Sequence, residues 1–188
     1  MPSGGAVEAA PGYAAGIVSR ITGFAPLTGP GVRRLILGSM PSRESLQRRE
    51  YYGHPRNLFW GFMEALFGID ARLPYDQRAR SLVGHGVAVW DVVRSCERHA
   101  SSDAAIRAVD ANDLPAFFAA HPRVRAVFFN GRKAADLFER LVRPRAGAAA
   151  AELHCELLPS TSPANASLSR AAKLAAWRAV AGQRSRRR

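Results

Sequence analysis

Four short apolar runs punctuate the chain, at Leu35 to Leu37, Val87 to Val93, Val124 to Phe129 and Leu153 to Leu158. Runs of this length, rich in β-branched and aromatic residues, predict buried strands. Between them the spacing changes. From about Asn57, the residues Phe59, Met63, Leu66 and Phe67 recur at helical intervals until Gly68 supplies a stop. Asn112 or Asp113 can cap a short helix with Pro115 in its first turn and Phe117 and Phe118 facing inward. Gly131 to Val142 interleaves charged and apolar positions at helical period, and Leu168 to Val180 predicts a closing helix. Strands separated by helices imply a parallel sheet covered on both faces. The expected class is therefore α/β, as a three-layer α/β/α arrangement around a central, mainly parallel four-stranded sheet.

Segments without such periodicity mark the edges of this unit. Residues 1–12, MPSGGAVEAAPG, read as a flexible arm, residues 13–183 as a single domain with its ordered part beginning near Ile21 to Pro26, and residues 184–188 as a basic tail. PRAGAAAAE at 144–152 reads as a surface loop, and the chain carries no internal repeat. A length of 188 residues, 47% of them apolar, suits one core.

Charge adds a partner class. The net charge of +12 comes from 25 arginines and two lysines, Lys133 and Lys173, against 15 acids. Cationic side chains release condensed counterions from a polyanion, so such a surface favours nucleic acid. Arginine also suits planar, bidentate phosphate contacts, although a GC-rich genome gives the same bias. The two cysteines, Cys96 and Cys155, lie too far apart for a CxxC metal site and are expected as reduced thiols. No run of eighteen apolar residues and no signal-peptide pattern is present, so a cytoplasmic chain without membrane contact is expected; a nucleoid-associated monomer without metal or cofactor is the further expectation.

Chemistry-bearing residues gather where strands end, which is where open α/β sheets place their sites. GSMPS at 38–42 follows the first strand: Gly38 lets backbone pass close to a ligand, and the amides of Ser39 and Met40 can face an anionic or carbonyl group. YYGHPRNLFW at 51–60 offers more hydrogen-bonding capacity than a packing segment needs. Asn57 can orient a water through its amide oxygen or simply cap the following helix. His54 can donate to a ligand or be structural, and Tyr51, Tyr52 and Phe59 offer stacking faces, with Tyr52 ahead of Phe59 because Phe59 falls on the apolar helix face. Asp91 in AVWDVV can accept from a ring N–H or pair with Arg94 or Arg56, while the Asn130 amide in FFNG can donate and accept. Ser160 to Asn165 forms a second strand-end loop whose Ser162 and neighbouring amides suit a phosphate.

The order and combination of GSMPS, YYGHPRNLFW, VWDV, FFNG and STSPANA resemble the uracil-DNA glycosylase superfamily, and within it most closely the hypoxanthine-DNA glycosylase branch. The resemblance runs from about Gly23 to Trp177. It implies removal of a deaminated base, hypoxanthine or uracil, from DNA, and it points to Asn57 as the residue handling the attacking water. Met40 stands where relatives often carry an acid or amide. Asp91 falls where a base-reading asparagine is common. Ser160 replaces the histidine of the second loop, with Ala164 or Asn165 as the wedge. The implied set is Asn57 and Ser160 for catalysis, Ser39, Met40, Tyr52, His54, Phe59, Asp91 and Asn130 for the base, and Ser42, Arg56, Ser162, Pro163, Ala164 and Asn165 for DNA. Some relatives hold a four-cysteine iron–sulfur cluster, which two cysteines cannot build. With neither lysine in a motif loop, a monofunctional enzyme using water is expected. A non-catalytic binder of damaged or abasic DNA, or an unrelated nucleoside or nucleotide hydrolase, is the alternative.

Overall fold

The computed structural model describes residues 20–98 and 106–182. The N-terminal arm and the basic tail expected from the sequence lie outside them. The central sheet contains β2 (Arg34–Gly38), β3 (Val87–Asp91), β6 (Ala126–Asn130) and β7 (His154–Leu158), in the order β3-β2-β6-β7. All three pairings are parallel, as the alternation of strands and helices requires.

The central strands β2 and β6 are buried on both faces, while β7 at the edge keeps His154 and Leu157 exposed. Leu35 and Leu37 of β2 turn to one side, with Val127 and Phe129 of β6. They meet α4 (Leu114–Ala120) through Leu114, Phe117 and Phe118, and α5 (Arg132–Leu141) through Leu137 and Phe138. Ile36 and Phe128 turn to the other side, against α2 (Phe59–Phe67), α3 (Tyr75–Gly84) and Trp177 of α7 (Arg170–Trp177). Successive strand residues point to opposite faces, so a strand covered on both sides is apolar throughout. The helix stops are local. Gly68 ends α2 with φ +70° and returns its N–H to the Glu64 carbonyl, while Asp113 caps α4 by accepting from the Ala116 N–H at 3.1 Å.

Two expectations are corrected. The run Val87 to Val93 is not one strand. The Val92 and Val93 N–H groups donate to the Gly38 and Ser39 carbonyls, which carries the chain across the end of β2. A new strand, β4 (Val93–Arg98), then joins a three-stranded antiparallel sheet with β1 (Arg20–Thr22) and β5 (Ile106–Ala111). The supposed loop at 144–152 belongs to a helix, α6 (Arg143–Ala151), interrupted at Gly147, whose φ is 51° and ψ −138°. Ala146 of this helix packs into the core beside Val142. The short helix α1 (Arg43–Arg48) and the whole of α3 also have no counterpart in the sequence expectation.

Candidate active site

Gly38 ends β2 directly opposite Asp91, the last residue of β3. A Cβ at position 38 would lie 2.3 Å from the Asp91 Oδ1 atom and 3.4 Å from the Tyr52 hydroxyl oxygen. The missing side chain is thus the space into which a carboxylate and a phenol converge. Asp91 is 4% exposed, and its backbone is pinned by the Asn112 amide, which donates to the Asp91 carbonyl at 2.8 Å. Neither Arg94 nor Arg56 is its ion-pair partner: Arg94 and Arg20 both turn to Asp110.

The first loop bends around this point. Ser39 is buried, and the Met40 side chain joins the apolar cluster at 7% exposure. The Met40 side chain is therefore turned away from any ligand, which leaves its backbone amide, the group expected to meet one. Ser42 acts as the cap of α1, accepting from the Ser45 N–H at 3.1 Å and donating to the Ser45 hydroxyl. The hydroxyl expected at DNA thus also shapes the start of the helix. Ser45 in turn accepts from the Gly53 N–H, tying the first loop to the turn at residues 51–54.

That turn sets the aromatic wall. Tyr52 is held at φ +57°, an uncommon conformation for a bulky residue. Its ring stacks on Phe59 with centroids 3.9 Å apart and planes 23° apart. Phe59 has no exposed surface, so it backs Tyr52 and cannot itself touch a base, contrary to expectation. Asn57 donates its N–H to the His54 carbonyl and accepts from the Phe59 N–H through Oδ1 at 3.0 Å. The oxygen has a second lone pair, so the capping contact leaves room for a water. His54 accepts from the Arg56 N–H through Nδ1, which places the ring proton on Nε2, 4.0 Å from a Glu44 oxygen. Arg56 is exposed.

The second loop meets this wall from the other side. The Leu58 N–H donates to the Thr161 carbonyl at 3.1 Å. Asn130 holds the same residue twice, donating from Nδ2 to Thr161 Oγ1 and accepting the Thr161 N–H, both at 2.9 Å. Its amide shapes the loop, and the second Nδ2 proton and second Oδ1 lone pair are left over for the contact to a base that was expected there. Ser160 accepts from the Ser162 N–H and Ser162 from the Ala164 N–H, so the two hydroxyls set the turn and keep their protons for donation. Pro163 and Ala164 are exposed at the tip, and Asn165 is half-buried. Gly131, at φ +98°, gives the loop its seat, since a Cβ there would lie 3.0 Å from the Ser160 Cβ.

A cleft of about 370 Å³ opens beside Tyr52, His54 and Asn57, with Arg48, Arg78 and Arg170 also in its lining. Arg78 lies 4.6 Å above the Trp60 ring with Nη2 3.5 Å from Glu50. The Arg170 guanidinium lies close over Gly61. A more open depression of about 540 Å³ lies elsewhere, along Arg94, Asp110, Arg140 and Arg145, and contains none of the candidate residues. The site is set by the chemistry of the first and not by the size of the second. The sequence offered no sign of Arg48, Arg78 or Arg170, because arginine is too frequent here for any one to stand out. Lys173 was also missed. It stands at a buried position of α7, and its rarity was the available signal.

An aromatic wall, a buried carboxylate and a serine-rich turn thus meet in the strand-end loops of an α/β protein, at the carboxyl edge of its sheet. The chain belongs to the uracil DNA glycosylase superfamily, whose profile matches residues 25–181. It is 32% identical over 159 residues to a protein of Methanosarcina acetivorans named hypoxanthine DNA glycosylase, covering 84% of this chain and 96% of that one. A Methanosarcina barkeri protein of the same name is 31% identical over 122 residues, 64% of this chain and 77% of the other. The fold superposes with a TM-score of 0.74 on the solution NMR structure of a Methanosarcina acetivorans protein provisionally described as a uracil DNA glycosylase, at 31% identity over 87% of this chain and 97% of that one.

Proposed function

We infer that the protein is a DNA glycosylase that hydrolyses the N-glycosidic bond of a deaminated base, hypoxanthine or uracil, and leaves an abasic site. The observation that carries this reading is the Tyr52 ring, which stacks on Phe59, lines the cleft beside Asn57 and brings its hydroxyl, with the Asp91 carboxylate, to the space over Gly38. A base extruded from the duplex needs such an aromatic slot with polar groups on its rim. Hypoxanthine and uracil both present a carbonyl beside a ring N–H, and a carboxylate accepts from that N–H. The C1′–N bond breaks with its electron pair on the base, water oxygen bonds to C1′, and the water proton leaves to the base or to solvent. Asn57 orients the water through the free lone pair of Oδ1, and Ser160 donates to the departing base. Ser162 and the exposed tip at Pro163 and Ala164 meet the DNA backbone.

Labelled duplexes containing hypoxanthine, uracil or xanthine test this directly. Strand breaks that appear only after alkali are the expected result for a monofunctional enzyme. Asn57→Ala should lower the single-turnover rate by about a hundredfold to a thousandfold, the usual cost of losing one orienting contact, while DNA affinity stays near the parent's. If the two rates agree within a factor of a few, Asn57 is only a cap.

A further inference from the structure

Lys173 is 2% exposed. It rises from α7 behind the second loop, where its ammonium donates to the Ser160 carbonyl at 2.8 Å and also to the Asn165 carbonyl. Those acceptors are the two ends of the turn that carries Thr161 to Ala164. Among the described residues no carboxylate forms an ion pair with it. Burial lowers its pKa below the ordinary lysine value.

A latch does not need a charge. Neutral donors can hold carbonyls without desolvating a cation, which is costly in a protein interior. The loop already has neutral ties, from Asn130 and Leu58 to Thr161 and from the Trp177 indole N–H to the Pro159 carbonyl at 2.9 Å. A buried ammonium beyond these ties therefore calls for a different explanation. It lies one peptide behind Ser160, the group placed to meet the departing base, and a serine hydroxyl offers that base only a single dipole. Charge held in a water-poor site acts more strongly than in solvent and needs no reorganisation when the transition state forms.

We propose that Lys173 is a positioning residue that acts electrostatically, fixing the 160–165 turn and lending it the positive potential that favours departure of the base as an anion. The inference rests on the glycosylase reading above. Lys173 forms no bond with the substrate, so the reaction keeps the balance already given.

The test uses leaving bases of different acidity. Xanthine is a more acidic base than hypoxanthine, and 5-fluorouracil more acidic than uracil, so the added potential matters less for the more acidic member of each pair. Single-turnover cleavage is measured on duplexes carrying all four, for the parent and for Lys173→Gln, Lys173→Met and Lys173→Arg. Gln keeps a donor without the charge, Met removes both, and Arg keeps the charge. The expected result is a loss of about tenfold or more for the neutral variants on hypoxanthine or uracil. That loss should shrink clearly on the more acidic partner, while Lys173→Arg retains most of the rate. Either neutral variant that melts cooperatively supports the comparison. An equal loss on both members of a pair would reduce Lys173 to scaffold, and an unchanged rate would remove it from the reaction. A parent that cleaves none of the four bases would overturn the glycosylase reading itself, and this inference with it.

Discussion

Gly38 concentrates the site's requirements into one absent methyl group. It is not at a left-handed backbone angle, so any amino acid could adopt its conformation; what excludes a side chain is space. In Gly38→Ala the new Cβ meets the Asp91 Oδ1 atom at 2.3 Å and the Tyr52 hydroxyl oxygen at 3.4 Å. The carboxylate must swing away or the strand ends must part. Overpacking of this kind costs about 1–3 kcal/mol. The expected outcome is a urea midpoint lowered accordingly, together with a single-turnover rate reduced by about a hundredfold or more, because Asp91 and Tyr52 are both displaced. A stability loss with full activity would mean that Asp91 takes no part in holding the base. Tyr52 illustrates the complementary case, where a bulky residue sits at φ +57° and its stacking on Phe59 holds it there.

At the level of elements, the site depends on how firmly α7 and β6 hold the second loop. Asn130→Ala removes both hydrogen bonds to Thr161, a residue with no exposed surface. Leaving that N–H and hydroxyl without partners should cost about 2–3 kcal/mol and slow cleavage, because the turn after Ser160 loosens. Ser169→Ala is the contrasting case. It deletes the α7 cap, a contact at 3.2 Å to the Ala172 N–H, for about 1 kcal/mol. Its single-turnover rate should match the parent's, because Trp177 and Lys173 still anchor the helix to the loop. Thermal melts and rapid-quench assays on the two variants separate the effects. Much of this scaffold could be read from the chain alone: the four parallel strands and the helix after Asn57 follow from apolar runs and spacing. The break at Val92 could not be read. Val92 and Val93 are both fully buried, so the apolar run continues through the change of sheet. Nor could α6, whose Ala, Gly and Pro composition suits a loop and becomes helical by packing Ala146 against the core. Asn57, Asp91 and Asn130 are legible as polar residues at strand and helix ends, whereas the hold of Asn130 on Thr161 is not, because an amide able to read a base is equally able to hold a turn.

For the whole molecule, the remaining question is how a domain with a net charge of +12 engages a polyanion. Several arginines are held by acids and add little to that excess: Arg20 and Arg94 by Asp110, Arg78 by Glu50, Arg143 by Glu139 and Arg72 by Asp70. Arg184, Arg186, Arg187 and Arg188 lie outside the described residues and beyond the last motif of the site. If these four contact phosphates, each adds about 0.9 to the log–log salt slope of duplex binding, so deleting residues 184–188 should flatten that slope by up to about 3.6. Affinity should fall by the same factor on damaged and undamaged duplexes, because phosphate contacts carry no sequence information. The cleavage rate at saturating enzyme should not change, since every residue proposed to touch the base is retained. Titrations of both proteins across a salt series measure the slope directly. An unchanged slope would mean that the tail does not touch DNA. The arginine-rich composition would then reflect the base composition of the gene, and binding would rest on Arg48, Arg170 and the exposed tip of the second loop.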